Sequence, residues 1–241
     1  MSRALFVTGT DTGVGKTLVA RALCAAARAA GVRVAPFKPF ESGCAPPGSG
    51  ARRPADTLAL RDACGLDDSS LAITDCNIYS FSEATAPGLA AREAHVVVDE
   101  ARVVRACAAL RRRFDLVIIE GAGGLLVPLG DDLLVADLAA RLAAPLLVVA
   151  RDALGTINHT LLTIAEARRR DLPVVGLVLS RATTDPAPDR AHNADAIARL
   201  GGVRVLGTLP FVSDADVIPP PRLAGIAARH LDLPAILAAA R

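Results

Sequence analysis

The chain has 241 residues, a length that allows one large domain or two small ones with a sizeable hydrophobic core. Lys and Arg number 27 against 25 Asp and Glu, so the net charge of +2 gives no indication of a nucleic-acid partner. No apolar run approaches the roughly 18 to 20 residues that would span a membrane, and the start of the chain carries no signal-peptide pattern. The five cysteines form no CxxC or Cys/His metal spacing, which favours free thiols in a reducing compartment. We therefore expect a cytoplasmic protein with no membrane partner.

The first predicted elements are a strand, a loop and a helix. An apolar run at residues 5–7 leads into Thr8–Thr17, and an Ala- and Leu-rich stretch with helical periodicity follows at residues 18–30. A glycine-bearing loop between a buried strand and a helix that opens with Gly-Lys-Thr indicates a phosphate-binding loop. In such a loop the backbone N–H groups point inward, and the N-terminus of the helix adds partial positive charge.

Individual residues of this loop have expected roles in phosphate and metal binding. Gly13 and Gly15 let the backbone come close to the phosphates. Lys16 supplies a positive charge for the outer phosphates, and the hydroxyl of Thr17 is placed to ligate Mg²⁺.

The loop departs from the usual G-x-x-x-x-G-K-[ST] spacing. The residue five positions before Gly15 is Thr10, and Gly9 stands one position too early. The alternative interpretation is a chance Gly-Lys-Thr in an ordinary strand-to-helix turn. Because the strand–loop–helix context argues against chance, we interpret the segment as a variant phosphate-binding loop.

Strands and helices alternate along the rest of the chain. Apolar strands are predicted at residues 32–37, 115–120, 145–150, 173–180 and 203–209. Helices are predicted at residues 57–64, 99–113, 132–143, 158–170 and 191–200, with short helices at the C-terminal end. Loops or turns are predicted at residues 38–43, 44–54, 79–88, 121–124 and 183–190. Continuous apolar strands between helices indicate an α/β fold, in which a mostly parallel sheet carries helices on both faces within a single domain over residues 1–241.

Two acidic residues are candidate Mg²⁺ ligands. Glu120 ends an apolar strand, where an NTPase places its second acidic Mg²⁺ contact, although an acid there could instead cap the next turn. Asp56 stands at the start of a helix as an N-cap or first-turn acid, and that position alone indicates only a cap. Together with Thr17, the two acids could complete an oxygen-rich Mg²⁺ site.

Lys38 lies on the loop that follows the second predicted strand. It could bring a second positive charge to the γ-phosphate or to an anionic intermediate, or it could be a solvated loop lysine. Lys16 and Lys38 are the only lysines of the chain, and both lie at predicted strand ends. Because ligands of parallel α/β sheets bind at the carboxyl ends of the strands, this placement favours a functional role for Lys38.

Four segments, taken in order along the chain, resemble the dethiobiotin synthetase family. They are Thr8–Thr17, Lys38-Pro39 with Ser42-Gly43, Glu120–Gly124 and Gly155–His159. The resemblance implies a P-loop type of fold and an ATP-dependent enzyme that closes a cyclic urea from 7,8-diaminononanoate, CO₂ and MgATP. One amine takes up CO₂ to give a carbamate, whose oxygen attacks the γ-phosphate to give a mixed carbamic–phosphoric anhydride. The second amine then displaces phosphate, and the other products are dethiobiotin and ADP.

The resemblance also implies roles for individual residues. Catalytic roles fall to Thr12, Lys16, Lys38 and Ser42, and Mg²⁺ ligation falls to Thr17, Asp56 and Glu120. Nucleotide and metal contacts fall to Gly13, Val14, Gly15, Lys16, Thr17, Asp56, Glu120, Gly121, Ala122, Gly123, Ser180, Arg181, Pro210, Phe211 and Val212. Substrate contacts fall to Thr12, Lys38, Ser42, Gly121, Gly123, Gly124, Gly155, Thr156 and Asn158. The family works as a homodimer, in which Gly155–Asn158 would reach the carboxylate tail of the substrate across the interface.

The chain departs from the family at the position that reads adenine. Family members often carry an Asn after the strand that here ends in Ser180, and a serine hydroxyl cannot make the two contacts of a planar amide. We therefore expect only a modest preference for ATP over other nucleoside triphosphates. Pro210 still fits the turn of the family that flanks the base, and Asn193 aligns roughly with a tyrosine near the substrate tail.

Two other functions fit a variant phosphate-binding loop. The first is a partitioning-type or metal-delivery ATPase that switches a protein partner, with the loop Lys-Gly-Gly-x-Gly-Lys-Thr. Here the signature lysine position is Asp11 and the first of those glycines is Thr12, which argues against that class. The second is a small-molecule amidoligase with a different substrate.

Overall fold

Six parallel strands form the central sheet. The computed structural model describes residues 3–44, 53–181, 183–184 and 190–240. The strands in chain order are β1 Arg3–Gly9, β2 Val34–Phe37, β3 Phe40–Glu41, β4 Tyr79–Ser80, β5 Leu116–Gly124, β6 Leu146–Arg151, β7 Val174–Ser180 and β8 Val205–Leu209. The six-stranded sheet has the order β2-β5-β1-β6-β7-β8, while β3 and β4 pair with each other as a separate two-stranded sheet. Every pairing between these strands is parallel.

Helices cover both faces of the sheet. In chain order they are α1 Lys16–Ala29, α2 Ala55–Ala63, α3 Ile73–Cys76, α4 Pro87–Glu93, α5 Glu100–Arg113, α6 Val135–Arg141, α7 Thr156–Arg169, α8 Arg190–Gly201, α9 Pro220–His230 and α10 Leu233–Ala239. Apolar residues of α1, α2, α9 and α10 form one core layer with β1, whereas those of α5 to α8 form the layers on the opposite face. This arrangement confirms the predicted α/β fold.

The strand sequences follow from this double covering. Leu5 and Val7 of β1 pack into the layer that contains α1, and Ala4 and Phe6 pack into the opposite layer. A strand with helices on both faces has no solvent-facing side, so its sequence is a continuous apolar run. Among the described residues, no helix combines the length and apolar content needed to cross a bilayer. All five cysteine side chains are buried.

Three predicted turns or loops are wrong. The predicted loop at residues 38–43 contains β3, and the predicted loop at residues 79–88 contains β4 and the start of α4. A strand of two residues is too short for a periodic signal, and here each pairs with the other. The tight turn predicted at residues 121–124 is instead the last part of β5, where small residues allow Gly124 to pair with Gly9.

The predicted helix starts are partly corrected. Asp99 caps α5 as predicted, because its side chain accepts a hydrogen bond from the N–H of Arg102. Asp56 does not cap α2: the N-cap is Pro54, and Asp56 lies in the first turn, the second of its two predicted positions. Most of the predicted loops at residues 44–54 and 183–190 lies outside the described residues.

The glycine that follows Glu120 gives a test of this packing. A Cβ added to Gly121 would lie 2.9 Å from Cε1 of Phe6 and 3.3 Å from Cγ1 of Val135. Gly121→Ala is therefore expected to lower the free energy of unfolding by about 1–3 kcal/mol, since overpacking forces side chains out of their rotamers. Urea denaturation measures the change, and adding Phe6→Leu to the same protein should recover part of it. Full additivity of the two substitutions would contradict the contact.

Candidate active site

A cavity of about 770 Å³ opens at the carboxyl ends of the central strands. Most of the site residues expected from the sequence line it: Thr12, Gly13, Val14, Gly15, Lys16, Thr17, Lys38, Ser42, Asp56, Glu120, Gly121, Ala122, Gly123, Ser180, Arg181, Phe211 and Val212. These residues come from distant parts of the chain, and the parallel sheet brings them to one edge. This is where ligands bind in parallel α/β sheets.

Gly9 explains how the variant phosphate-binding loop folds. The ammonium of Lys16 bends back over the loop and donates a hydrogen bond to the carbonyl oxygen of Asp11 at 2.8 Å. A Cβ on Gly9 would lie 2.8 Å from that Nζ atom and 2.7 Å from that oxygen, so a side chain there would displace both groups. The glycine that stands one position early in the motif is thus the one that Lys16 requires.

Burial makes Lys16 sensitive to a nearby charge. Desolvation lowers the pKa of its ammonium to about 8, against the opposing attraction of Glu120. A phosphate beside the Nζ atom would favour the charged form. The electrostatics of the loop therefore suit an anionic ligand.

Glu120 is the most deeply buried acid of the cavity, with 1% of its surface exposed. Its Oε1 atom accepts hydrogen bonds from the hydroxyl of Thr17 at 2.9 Å and from Nζ of Lys38 at 2.5 Å. The same Nζ atom lies 2.9 Å from Oδ2 of Asp56. One ammonium thus bridges the two predicted acidic ligands.

The pairing sets the charge state of Lys38. Burial alone would lower the pKa of this ammonium, but the two carboxylates outweigh that effect and hold the pKa above its usual value. Lys38 is 5% exposed, so it is not the solvated loop lysine that the sequence also allowed. It is a fixed positive charge inside the cavity.

The oxygen atoms around Glu120 fit a Mg²⁺ ion. The side chains of Thr17, Asp56 and Glu120 offer hard oxygen donors, and Oε2 of Glu120 is buried without a hydrogen-bond partner. No cluster of three or more His, Cys, Asp or Glu side chains suitable for a metal occurs within the described part of the chain. Two carboxylates and a hydroxyl suit Mg²⁺, which usually completes its shell with substrate phosphates and water.

Ser42 and Thr12 also line the cavity, and each carries a hydroxyl group. The hydroxyl oxygen of Ser42 is buried and has no hydrogen-bond partner, so it can donate to a ligand. Thr12 lies close to Gly123 near the end of β5, where an added Cβ would be 3.4 Å from its hydroxyl oxygen. The roles that the resemblance implies for these two hydroxyl groups stay predictions.

Ser180 lies against the phosphate-binding loop. Gly15 has a φ of +97°, and a Cβ there would collide with the hydroxyl oxygen of Ser180. The buried carboxylate of Asp152 holds the neighbouring residues, because it accepts hydrogen bonds from Nε of Arg181 and from Nδ2 of Asn193, each at 3.0 Å. Asn193 is therefore a support for this end of the cavity.

Arg21 fixes the segment after β8, which closes the same end of the cavity. Its guanidinium donates hydrogen bonds to the carbonyl oxygens of Ala215 and Ile218, which ties that segment to α1. Arg21, Ala215 and Phe211 all line the cavity.

Some expected residues do not line this cavity. Pro210 lines a separate neighbouring cavity of about 420 Å³, and Gly124 packs against the carbonyl oxygen of Gly9. The remaining three, Gly155, Thr156 and Asn158, lie at the start of α7 and are also absent from the lining. The fold of one chain thus leaves the expected substrate-tail residues outside the cavity.

Sequence reasoning missed Glu41, which lines the cavity together with Lys38 and Asp56. Burial raises the pKa of this carboxyl group, and the hydroxyl of Thr57 opposes the shift. The segment Lys38–Gly43 has no periodic pattern that singles out Glu41. The hydrogen-bond partners of its carboxylate lie on α2, so no pattern within this segment could indicate them. Sequence reasoning missed Arg21 for the same reason, because the carbonyl groups that accept its hydrogen bonds lie close to the other end of the chain.

Comparison with known proteins gives the family. A family model described as an AAA domain matches residues 3–217. The ATP-dependent dethiobiotin synthetase BioD of Anaeromyxobacter dehalogenans (strain 2CP-C) is 49% identical, over 88% of this chain and 92% of its own. The protein of that name from Bacillus subtilis (strain 168) is 37% identical, over 88% of this chain and 89% of its own. The chain belongs to the dethiobiotin synthetase family. The family expected from the four segments is thus confirmed.

Solved structures support the fold of this family member. The structure of a ParA family ATPase from Chlorobium tepidum aligns over 99% of this chain and 97% of its own, with a TM-score of 0.56 and 16% identity. The structure of MinD from Pyrococcus horikoshii, solved with Mg-ADP, aligns over 98% of this chain and 95% of its own, with a TM-score of 0.58 and 15% identity. At this identity the likeness shows a P-loop NTPase-like fold and nothing of the function. The partitioning-type ATPase alternative is not favoured, because the dethiobiotin synthetases are far more similar in sequence.

Removal of Lys38 tests how much its ammonium group stabilises the buried carboxylate of Glu120. Lys38→Met is expected to lower the free energy of unfolding by about 3–5 kcal/mol, because breaking a buried ion pair leaves an uncompensated charge. The double variant Lys38→Met with Glu120→Gln should recover most of that loss. Urea denaturation of the four proteins of the cycle gives the coupling energy, and a coupling near zero would contradict the pairing.

Proposed function

We propose that this chain closes the cyclic urea of dethiobiotin from 7,8-diaminononanoate, CO₂ and ATP, with ADP and phosphate as the other products. The observation that supports it best is the convergence of both lysines on one cavity with Thr17 and Glu120. The names of the family relatives support the substrate assignment. Phosphoryl transfer needs concentrated positive charge in this arrangement.

The reaction has three steps in this proposal. One amine of the substrate bonds to CO₂ and loses a proton to give a carbamate. A carbamate oxygen then bonds to the γ-phosphorus while the bond between that phosphorus and ADP breaks. Finally the second amine bonds to the carbonyl carbon and loses a proton to solvent, while the bond from that carbon to the phosphorylated oxygen breaks and phosphate leaves with the former carbamate oxygen.

The residues of the chain stabilise charge during these steps. Lys16 lies on the phosphate-binding loop and Lys38 lies beside Glu120, so each faces a region where negative charge is expected to develop. The hydroxyl groups of Thr12 and Ser42 are placed to orient the carbamate. Mg²⁺, held by Thr17, Asp56 and Glu120, would neutralise phosphate charge when bound.

The start of α7 supports a homodimeric enzyme. Leu154 is 90% exposed and Leu162 on α7 is 61% exposed, so two large apolar side chains lie at the surface near the expected substrate-tail residues. The hydroxyl of Thr156 is buried without a hydrogen-bond partner. We infer that a second copy covers this face and that Gly155–Asn158 completes the substrate-tail site of the partner subunit.

Diamine-dependent release of ADP tests the proposed function. Purified protein is given MgATP and bicarbonate with and without 7,8-diaminononanoate, and the cyclic urea is detected by mass. ADP release that requires the diamine, together with the product, is the expected result. Slow hydrolysis without diamine dependence would contradict the proposal and favour another ligase substrate or a partner-driven switch.

Ser180 gives a prediction on nucleotide choice. Because its single hydroxyl replaces a planar amide and lies against Gly15, we expect kcat/KM for ATP to exceed that for GTP or CTP only modestly. Initial rates with each nucleotide measure the ratio. A preference of several hundredfold would show that other groups read the adenine, such as the backbone around Pro210.

The dimer gives a second prediction. Leu162→Arg should shift the protein toward monomer in sedimentation velocity and lower turnover, since a charge would be buried at the interface. Val97→Arg is the matched control, because Val97 is 90% exposed and lies before α5. An unchanged sedimentation coefficient for Leu162→Arg would argue against an interface at α7.

A further inference from the structure

The carboxylate of Glu41 is bound entirely by the start of α2. Its Oε1 atom accepts a hydrogen bond from the backbone N–H of Asp56 at 2.9 Å. Its Oε2 atom accepts from the N–H of Thr57 at 3.0 Å and from the hydroxyl of Thr57 at 2.7 Å. The residue is 6% exposed, so these bonds form in a poorly solvated environment.

Glu41 supplies the cap that α2 does not have locally. The N-cap position is Pro54, and no side chain at that position accepts a hydrogen bond from the helix. The first backbone N–H groups of a helix need acceptors, and a negative charge there also interacts favourably with the helix dipole. A carboxylate from β3 meets both needs.

A second buried side chain extends this connection to Lys38. Nδ2 of Asn77 donates hydrogen bonds to the carbonyl oxygen of Lys38 at 2.9 Å and to the hydroxyl oxygen of Thr57 at 3.3 Å. Thr57 is fully buried, and Asn77 is 6% exposed. A satisfied polar network in the interior favours one arrangement of the segments that it joins.

The network joins the two segments that supply charged groups to the metal site. Lys38, Glu41 and Ser42 lie on or beside β3, whereas Asp56 lies on α2. Oδ2 of Asp56 is 2.9 Å from Nζ of Lys38, although its side chain is 43% exposed. The carboxylate of Asp56 is thus constrained twice, by its ion pair with Lys38 and by the hydrogen bond that holds its backbone N–H to Glu41.

We propose that Glu41 is a positioning residue that caps α2 and thereby holds the Asp56 carboxylate where it can ligate the metal. This inference rests on the proposed role of Asp56 as a Mg²⁺ ligand. Glu41 itself does not ligate, since both of its oxygen atoms are used by α2. Groups that orient a metal ligand typically change metal affinity by about 10- to 100-fold when they are removed.

Metal binding, measured without turnover, tests the proposal. The dissociation constant of Mn²⁺ is measured by electron paramagnetic resonance in the presence of ADP for the wild type and for Glu41→Ala, Glu41→Gln and Asp56→Ala. We expect about a tenfold or greater weakening for Glu41→Ala and Asp56→Ala. Glu41→Gln should be intermediate, because an amide keeps one acceptor for the helix. Asp62→Ala, an exposed acid on the same helix, is the matched control and should bind like the wild type.

These measurements distinguish a positioning role of Glu41 from a purely structural one. If Glu41→Ala unfolds at a lower temperature but binds Mn²⁺ like the wild type, the positioning role is overturned. If Asp56→Ala also binds like the wild type, the proposal fails through its premise, and the metal assignment fails with it. If Glu41→Ala does not fold, Glu41→Gln and Thr57→Val are measured in its place. Unchanged Mn²⁺ affinity in both of these variants would overturn the proposal. None of these outcomes depends on the identity of the diamine substrate.

Discussion

The negative charge of Glu120 lies in an almost fully buried position, and the cavity is arranged to balance it. The ammonium of Lys38 supplies the balance, with the hydroxyl of Thr17 on the same oxygen atom and Asp56 on the other side of the ammonium. A buried ion pair is weak evidence for stability, because desolvation offsets its attraction. Its cost is better explained by the proposed function, in which fixed charges lie where a phosphoryl group would move.

Much of the fold could be predicted because its signals are local. A continuous apolar run such as the one in β1 predicts a buried strand, and the amphipathic pattern with Asp99 as cap predicts α5. The errors fall where the structure depends on a partner. β3 and β4 form only because they pair with each other, and β5 extends to Gly124 because that residue pairs with Gly9 of β1.

The candidate site was predictable as far as motifs and topology reach. The carboxyl ends of parallel strands meet at one edge, so Lys16, Lys38 and Glu120 could be placed together from their order in the chain. The contacts that hold these three residues in place could not be predicted from the sequence. Glu41 meets the start of α2 only through space, and Arg21 contacts residues close to the far end of the chain. Neither pairing leaves a spacing pattern in the sequence, and both depend on how the helices pack.

In the proposed reaction, a carbamate of the substrate is activated in the cavity by transfer of the γ-phosphoryl group of ATP. Isotope transfer tests this claim most directly. The protein is incubated briefly with ¹⁸O-labelled bicarbonate, MgATP and 7,8-diaminononanoate, and the released phosphate is analysed by mass. We expect one ¹⁸O atom in each phosphate, because the carbamate oxygen that attacks phosphorus leaves with it. Unlabelled phosphate, released alongside a cyclic urea that keeps its label, would show that the phosphoryl group is transferred to water and would contradict the carbamate route.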